Sequence, residues 1–481
     1  MSSERPRDVV VIGGGISGLA AAHALRQAAG PAVRITVLEK AAVVGGHLRT
    51  SEVAGVAVDE GAESLLNRRP EAVDLVREVG LGDDLVHPAD VGAGLWSRGK
   101  IVPLPAGTVM GVPADPAALS GVLTASETAR VEEDRTRPGM PLHGDIAIGR
   151  FVADRMGRAV VDRLVEPLLG GVYAGRADEL SLRATVPALA QAAESHRSLL
   201  AAASTAARGA DAAAAPLFAG IRGGVGRLPA AVVTASGAQV RTGVTVRRLT
   251  PHIDHATDAR HAARWRLEAG PAPRAEIVEA DAVVVAVPAP AAARLLRDVL
   301  PAAAAELGGV ECASVAVVTL ALPRAAFPTV PESTGFLVPP VDGRTVKAVT
   351  FSSVKWPWLG AEAGDLVLLR ASLGRHRDEA ELQHGDDELV RIVLADLADA
   401  LGLAGPPVDS RVSRWGGALP QYAVGHADRM AVVVAAVDAV PGLAVCGTAY
   451  DGVGVAACVA GARRAATRVL DGLGIVPVSS A

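Results

Sequence analysis

The stretch from Asp8 to Lys40 constrains this chain more than any other. Val9-Val10-Val11-Ile12 is an unbroken apolar run, the pattern of a strand buried on both faces. Gly13-Gly14-Gly15-Ile16-Ser17-Gly18 interrupts it, and Leu19-Ala20-Ala21-Ala22-His23-Ala24-Leu25 reads on as a helix. A second β-branched run, Arg34-Ile35-Thr36-Val37-Leu38, ends at Glu39. The unit is β-α-β with G-x-G-x-x-G at Gly13, Gly15 and Gly18, followed by an acidic residue at the spacing of a dinucleotide fingerprint. Gly13 permits the tight turn, Gly15 lets a pyrophosphate approach the backbone, and Gly18 lets the helix lie flat on the sheet. The helix N-terminus offers free N–H groups and a positive dipole end to phosphate. Glu39 suits both hydroxyls of an adenosine ribose and repels a 2′-phosphate. Dinucleotide contacts are therefore expected from Gly13, Gly14, Gly15, Ile16, Ser17, Gly18, Glu39 and Lys40. A cleaved leader would also begin with Arg5 and Arg7 and carry Ala20-Ala21-Ala22, but consecutive glycines break its apolar segment.

At 481 residues the chain has room for two or three domains. Aromatic content is only 3% against 50% hydrophobic, so the core is Ala, Val and Leu. Lys40, Lys100, Lys347 and Lys355 are the only lysines, and Arg carries the rest of the positive charge. This resembles the codon bias of a high-GC genome, which leaves much of the Ala content without structural meaning. A net charge of −5 gives no reason to expect nucleic acid. Cys312, Cys446 and Cys458 have no metal spacing and an odd count, as expected of reduced thiols in the cytoplasm. No apolar run is long enough for a bilayer span; peripheral membrane contact stays open.

Further on, Ala41-Ala42-Val43-Val44-Gly45-Gly46-His47-Leu48-Arg49-Thr50 sets a glycine pair after the ribose-binding strand, and Asp59-Glu60-Gly61-Ala62-Glu63-Ser64 follows. With the fingerprint, these loops resemble the R-x-G-G-x-x-R-T and E-G-x-x-S elements of the flavin amine oxidase and protoporphyrinogen oxidase superfamily. Val43-Val44 stand where many members place an arginine. Three later strings resemble the porphyrinogen oxidases more specifically: Glu166-Pro167-Leu168-Leu169-Gly170-Gly171-Val172-Tyr173-Ala174-Gly175, read as a Gly-broken turn; Phe218 to Pro229; and Trp415-Gly416-Gly417-Ala418-Leu419-Pro420-Gln421-Tyr422-Ala423-Val424-Gly425-His426. Ala280 to Pro288 resembles the return strand of two-dinucleotide-domain flavoproteins. Val240 to Leu249 reads as one strand near the adenine, and residues 96–105 as a hairpin. His252, His255 and His261 sit in a polar insertion without the partners of a metal site.

The resemblance covers nearly the whole chain. It implies an α/β, two-dinucleotide-binding-domain flavoprotein: a Rossmann-type FAD domain from 1–105, 216–289 and 427–481, a helical domain over 106–205, and an α+β substrate domain over 290–426. FAD is expected to touch Gly46, Gly61, Ala62, Glu63, Ser64, Val246, Trp415, Val453, Gly454 and Val455, besides the fingerprint residues. Arg49 and Tyr173 are expected at the substrate, and no catalytic base is assigned. The implied reaction is oxygen-dependent oxidation of a porphyrinogen with release of hydrogen peroxide, in heme biosynthesis. The lysine-poor chain resembles the actinobacterial branch, whose substrate is coproporphyrinogen III. Protoporphyrinogen IX is the alternative, and an amine oxidase or carotenoid desaturase is a further one. A flavoprotein that only presents a partner surface is the non-enzymatic alternative. Expected partners are the porphyrinogen and molecular oxygen, with transient contact to neighbouring heme-pathway enzymes, in the cytoplasm. Four substrate carboxylates call for cations, for which Arg49, Arg68, Arg69 and Arg375 are candidates.

Overall fold

The computed structural model describes residues 5–139, 142, 144–211, 216–252 and 264–476. Arg7–Ile12 is the central strand of a five-stranded parallel sheet. Across it the order is Gln239–Arg241, Val33–Leu38, Arg7–Ile12, Ala282–Val285 and Leu443–Val445, all parallel. Val9 and Val11 pack among the helices Ile16–Ala29, Leu228–Ser236 and Val455–Leu473. Val10 and Ile12 face a second core built on Trp265, Leu267 and the helices Ala289–Leu296 and Pro301–Gly308. That two-sided burial explains the unbroken apolar run, each side chain contributing about 1.5–3 kcal/mol. The second core lies under a three-stranded antiparallel sheet, Val246–Pro251, Trp265–Ala269 and Glu276–Ala280.

Alanine has a structural role that composition alone conceals. Ala20, Ala21 and Ala22 meet Ala456, Ala462, Ala465 and Ala466 in one core, where the helices Ile16–Ala29 and Val455–Leu473 pack side by side. Small side chains allow the two axes to approach closely.

A seven-stranded sheet forms the other half of the molecule. Its order is Asp409–Pro420, Cys312–Pro323, Leu366–Leu373, Val346–Thr350, Gly335–Leu337, Gly94–Ser97 and Lys100–Pro103. All neighbours are antiparallel except Gly335–Leu337 with Gly94–Ser97. One face packs on the helix Asp386–Leu401. Helices between Ala125 and Asp211 enclose a separate apolar cluster with Leu95, Tyr173 and Tyr422.

Three local expectations are corrected. The hairpin around Arg98-Gly99, grouped above with the dinucleotide domain, is the edge of the seven-stranded sheet. The run Val240 to Leu249 is two strands in different sheets, separated at Gly243, whose φ is +69°. The string Glu166 to Gly175 is mostly helix, Glu166–Tyr173, continuing a π-type turn over Val161–Val165 and ending at Ala174 in a left-handed conformation. His255 and His261 lie outside the described residues.

Candidate functional site

The glycine turn divides its glycines between packing and access. A Cβ on Gly18 would stand 2.0 Å from the Gly13 carbonyl oxygen, and one on Gly13 2.4 Å from that of Ala286. Gly15 has nothing within 4 Å of that position. The 14-residue helix that starts at Ile16 has no side-chain cap and no acidic residue in its first turn. Its free N–H groups at Ile16, Ser17 and Gly18 thus border open space at Gly15, as phosphate requires. Gly14 donates 2.6 Å to one Glu39 oxygen and Ala41 donates 2.7 Å to the other. Lys40 is exposed beside them.

The next loop is laid against this turn. The Gly45 N–H donates to the Gly14 carbonyl at 2.8 Å, and Gly46, at φ +59°, lies against Gly15. Val244 donates to the Glu39 carbonyl at 2.9 Å, which brings the buried Val246 beside the acidic strand end. A second uncapped helix, Val455–Leu473, starts after Gly454. It packs on the Ile16–Ala29 helix, and the Cys446 thiol lies 3.8 Å from the Ser17 carbonyl. Val453 reaches the cluster that holds Tyr173 and Tyr422, whose rings are 5.4 Å apart. Burial pushes the Tyr173 hydroxyl up to about 12, so it stays protonated at neutral pH.

The Gly61–Ser64 loop joins the two halves. The Gly61 carbonyl accepts from Arg370, and Ala62 donates 3.2 Å to the His47 carbonyl. Glu63 takes Lys355 at 2.6 Å, Arg370 at 2.8 Å and the Ser352 hydroxyl at 3.2 Å. The Ser64 hydroxyl accepts from Lys355 at 2.8 Å. Burial pushes the Glu63 carboxyl up, but Lys355 and Arg370 override it and hold it at about 2. Trp415 donates its indole N–H to the Glu60 carbonyl at 3.1 Å and stands edge-on to His47 at 5.2 Å. Arg49 lies 5.7 Å over the Trp415 ring and 3.9 Å from Glu60. Burial lowers the pKa of His47, which keeps its ring neutral. Trp415 is also part of the wall of a groove of about 560 Å³, together with Ser314, Glu379, His384 and Arg414.

The structure therefore assembles the expected residues around two uncapped helix starts and the loops 41–49 and 59–64. Arg69 is paired with Glu71 at 2.6 Å. Sequence reasoning missed Asp59, which accepts from Thr50 at 2.7 Å, Val225 at 3.0 Å and Gly226 at 3.2 Å. These bonds tie the Phe218–Pro229 element to the site. It also missed His47, Lys355 and Arg370. Lys347 gave a signal: a charge within the otherwise apolar strand Val346-Lys347-Ala348-Val349. Among the described residues no group of His, Cys, Asp and Glu could hold a metal, and no helix is long and apolar enough to cross a membrane.

Comparison with known proteins follows the same outline. The family described as flavin containing amine oxidoreductase matches residues 16–470. Coproporphyrinogen III oxidase of Mycobacterium tuberculosis (strain ATCC 25618 / H37Rv) is 39% identical over 470 residues, covering 97% of this chain and 98% of the relative. The protein of the same name from Bacillus subtilis (strain 168) is 32% identical over 464 residues, covering 95% and 96%. A crystal structure from Exiguobacterium sp. 255-15, described provisionally as a protoporphyrinogen oxidase, superposes with a TM-score of 0.83 at 31% identity, covering 98% and 99%.

Proposed function

The chain belongs to the flavin-containing amine oxidoreductase family, and from that premise we propose that it oxidises coproporphyrinogen III to coproporphyrin III in heme biosynthesis. Its cofactor is FAD. The observation that carries the substrate is the full-length likeness to curated relatives of that name, at 39% identity in the mycobacterial one. The cradle fits the cofactor: open space at Gly15, an uncapped helix start at Ile16 and an acidic strand end at Glu39. The uncapped start at Gly454 would face the flavin ring with a positive dipole end, which favours added electron density there. The chemistry FAD supplies when bound is acceptance of a hydride equivalent from a bridging carbon, with the electrons passing on to molecular oxygen as hydrogen peroxide. Three two-electron oxidations take the porphyrinogen to the porphyrin, and pyrrole protons leave with them.

The residues around the cofactor loops orient the site and exclude water. Glu60 and Glu63 are held by arginine and lysine, His47 is neutral, and Tyr173 keeps its proton. No general base is assigned among them, and proton release to water accompanies each oxidation in this scheme. Arg49 would stand where cofactor loop and substrate meet. Location in the cytoplasm, oxygen as acceptor and handover to neighbouring heme-pathway enzymes belong to the same proposal.

Porphyrins fluoresce and porphyrinogens do not, so an aerobic assay with each substrate measures turnover directly. Faster fluorescence growth on coproporphyrinogen III than on protoporphyrinogen IX is expected, with peroxide formed alongside and FAD released by acid precipitation. A preference for protoporphyrinogen IX would move the assignment to that substrate. No turnover of either, with FAD bound and oxygen present, would overturn the reading.

A further inference from the structure

The face of the seven-stranded sheet that looks toward the Gly61–Ser64 loop is ordered in rows. One row, Thr350, Arg370, Thr319 and Arg411, runs under the loop, with Arg370 held by Glu63 and Arg411 3.7 Å from Glu60. The next row is Leu337, Ala348, Ser372, Val317 and Ser413. Leu337, Ala348 and Ser372 are half-exposed there although neighbouring strands flank them on both sides. Helix Glu166–Tyr173 lies over the Val346–Thr350 and Gly335–Leu337 strands, where a Cβ on Gly171 would meet Leu337 at 3.6 Å, and the row stays partly open beside it. Beyond that row lies Trp415 on one side, paired with Val315, and Lys347 on the other.

Lys347 occupies a β-bulge: Val346 pairs with Leu373 and Ala348 with Ser372, leaving Lys347 as the extra residue. A bulge re-aims a side chain, here away from the core that takes Val346 and Val349. Lys347 is only 5% exposed, and its ammonium has one partner, the Gly374 carbonyl at 2.8 Å. Beside it, the half-buried Arg375 guanidinium has only the Val338 carbonyl at 3.3 Å. Among the described residues neither cation has a carboxylate within ion-pair distance, whereas the buried Arg155 and Arg370 each hold one. Two adjacent cations, one buried and one half-buried, thus have most of their donors unused, with Asp378 and Glu166 acting on Arg375 only from beyond ion-pair contact.

We propose that Lys347 and Arg375 are the substrate's carboxylate clamp: together they take one propionate of the tetrapyrrole whose ring lies over the open row toward Trp415. This rests on the substrate class proposed above. The dimensions agree: three strand spacings separate the Lys347 strand from the Trp415 strand, about 14 Å, which a macrocycle with an extended propionate spans. The clamp positions the ring without touching reacting atoms. Burial, then Arg375, holds Lys347 down at about 7 while no anion is present, and a propionate would raise it.

The test is binding of coproporphyrin III to the FAD-loaded protein, followed by fluorescence, with coproporphyrin tetramethyl ester as the uncharged probe. Lys347→Met and Arg375→Gln should each weaken coproporphyrin III by about ten- to a hundredfold and leave the ester unchanged. In steady state the same variants should raise KM more than they lower kcat. Wild-type affinity should fall as pH rises through about 7, where Lys347 loses its proton, and Lys347→Arg should flatten that limb. The charged group acting on Lys347 is Arg375, which in turn feels Asp378 and Glu166, and the Arg163–Asp342 pair stands on the turn before the Lys347 strand. Undiminished coproporphyrin III affinity in both variants, or equal loss for the ester, overturns the clamp while leaving the reaction intact. Turnover and binding absent in the wild type would overturn the reaction itself. Since Lys347→Met alters a buried site, Arg375→Gln, at a half-buried one, decides the outcome if the first variant does not fold.

Discussion

Replacing Glu63 by Gln tests whether this carboxylate holds the two halves of the molecule together or serves the cofactor. Its two oxygens face Lys355 at 2.6 Å and Arg370 at 2.8 Å, and its side chain is 12% exposed. Gln cannot neutralise either cation, so two buried charges lose their partner, a change that costs about 3–5 kcal/mol. The pH dependence gives an independent figure. The carboxyl falls from 4.5 to about 2 in the fold, a gap worth about 3 kcal/mol at 1.36 kcal/mol per pH unit. A lowered acid pKa contributes fully above the unfolded value and is lost as pH falls through the folded one. The wild type should therefore lose this contribution between pH 4.5 and about 2, and E63Q should lack that part of the acid limb. At about 2.1 cal/mol/K per residue, unfolding 481 residues together carries about 1 kcal/mol/K. The Tm of E63Q apoprotein at pH 7 should thus fall by about 3–5 °C. Glu63→Leu combined with Lys355→Met and Arg370→Met should recover much of the loss, because apolar groups need no counter-charge. An apoprotein Tm within 1 °C of wild type, with FAD affinity reduced, would refute the reasoning and return Glu63 to the cofactor.

Three further outcomes follow from the same geometry. Gly18→Ala places a Cβ 2.0 Å from the Gly13 carbonyl and should destabilise the apoprotein, whereas Gly15→Ala meets nothing and should lose FAD affinity at unchanged apoprotein Tm; equal behaviour in calorimetry would count against this division. Glu39→Gln removes the charge that organises Gly14 and Ala41 and faces the ribose, so FAD should bind about ten- to a hundredfold more weakly in an apoprotein titration. Arg49→Ala, removing a guanidinium that is 44% exposed and held only loosely at 3.9 Å from Glu60, should lower turnover with FAD retained, and wild-type kinetics would assign Arg49 to the surface.

By itself the sequence determined what depends on near neighbours. The glycine turn, the buried strand before it and the acidic strand end occupy one 33-residue stretch, from Asp8 to Lys40, and their spacing carries the chemistry whatever surrounds them. The loops at Gly46 and Gly61–Ser64 were legible for the same reason, with the help of a resemblance. Tertiary structure decided everything that depends on which residue faces which. Val240 to Leu249 has a strand's composition throughout, and only the diverging sheets divide it at Gly243. The hairpin at Arg98-Gly99 pairs with Gly335–Leu337, more than two hundred positions away, and nothing local announces that partner. Glu63 reads as a loop carboxylate until Lys355 and Arg370 arrive from 292 and 307 positions on. Lys347 and Arg375 are separate charges until the folded sheet buries one beside the other. Burial sets the energy of a charge, and burial is a property of the assembled sheet. The same side chains that are interchangeable on a surface become specific partners only once the fold has removed the water between them.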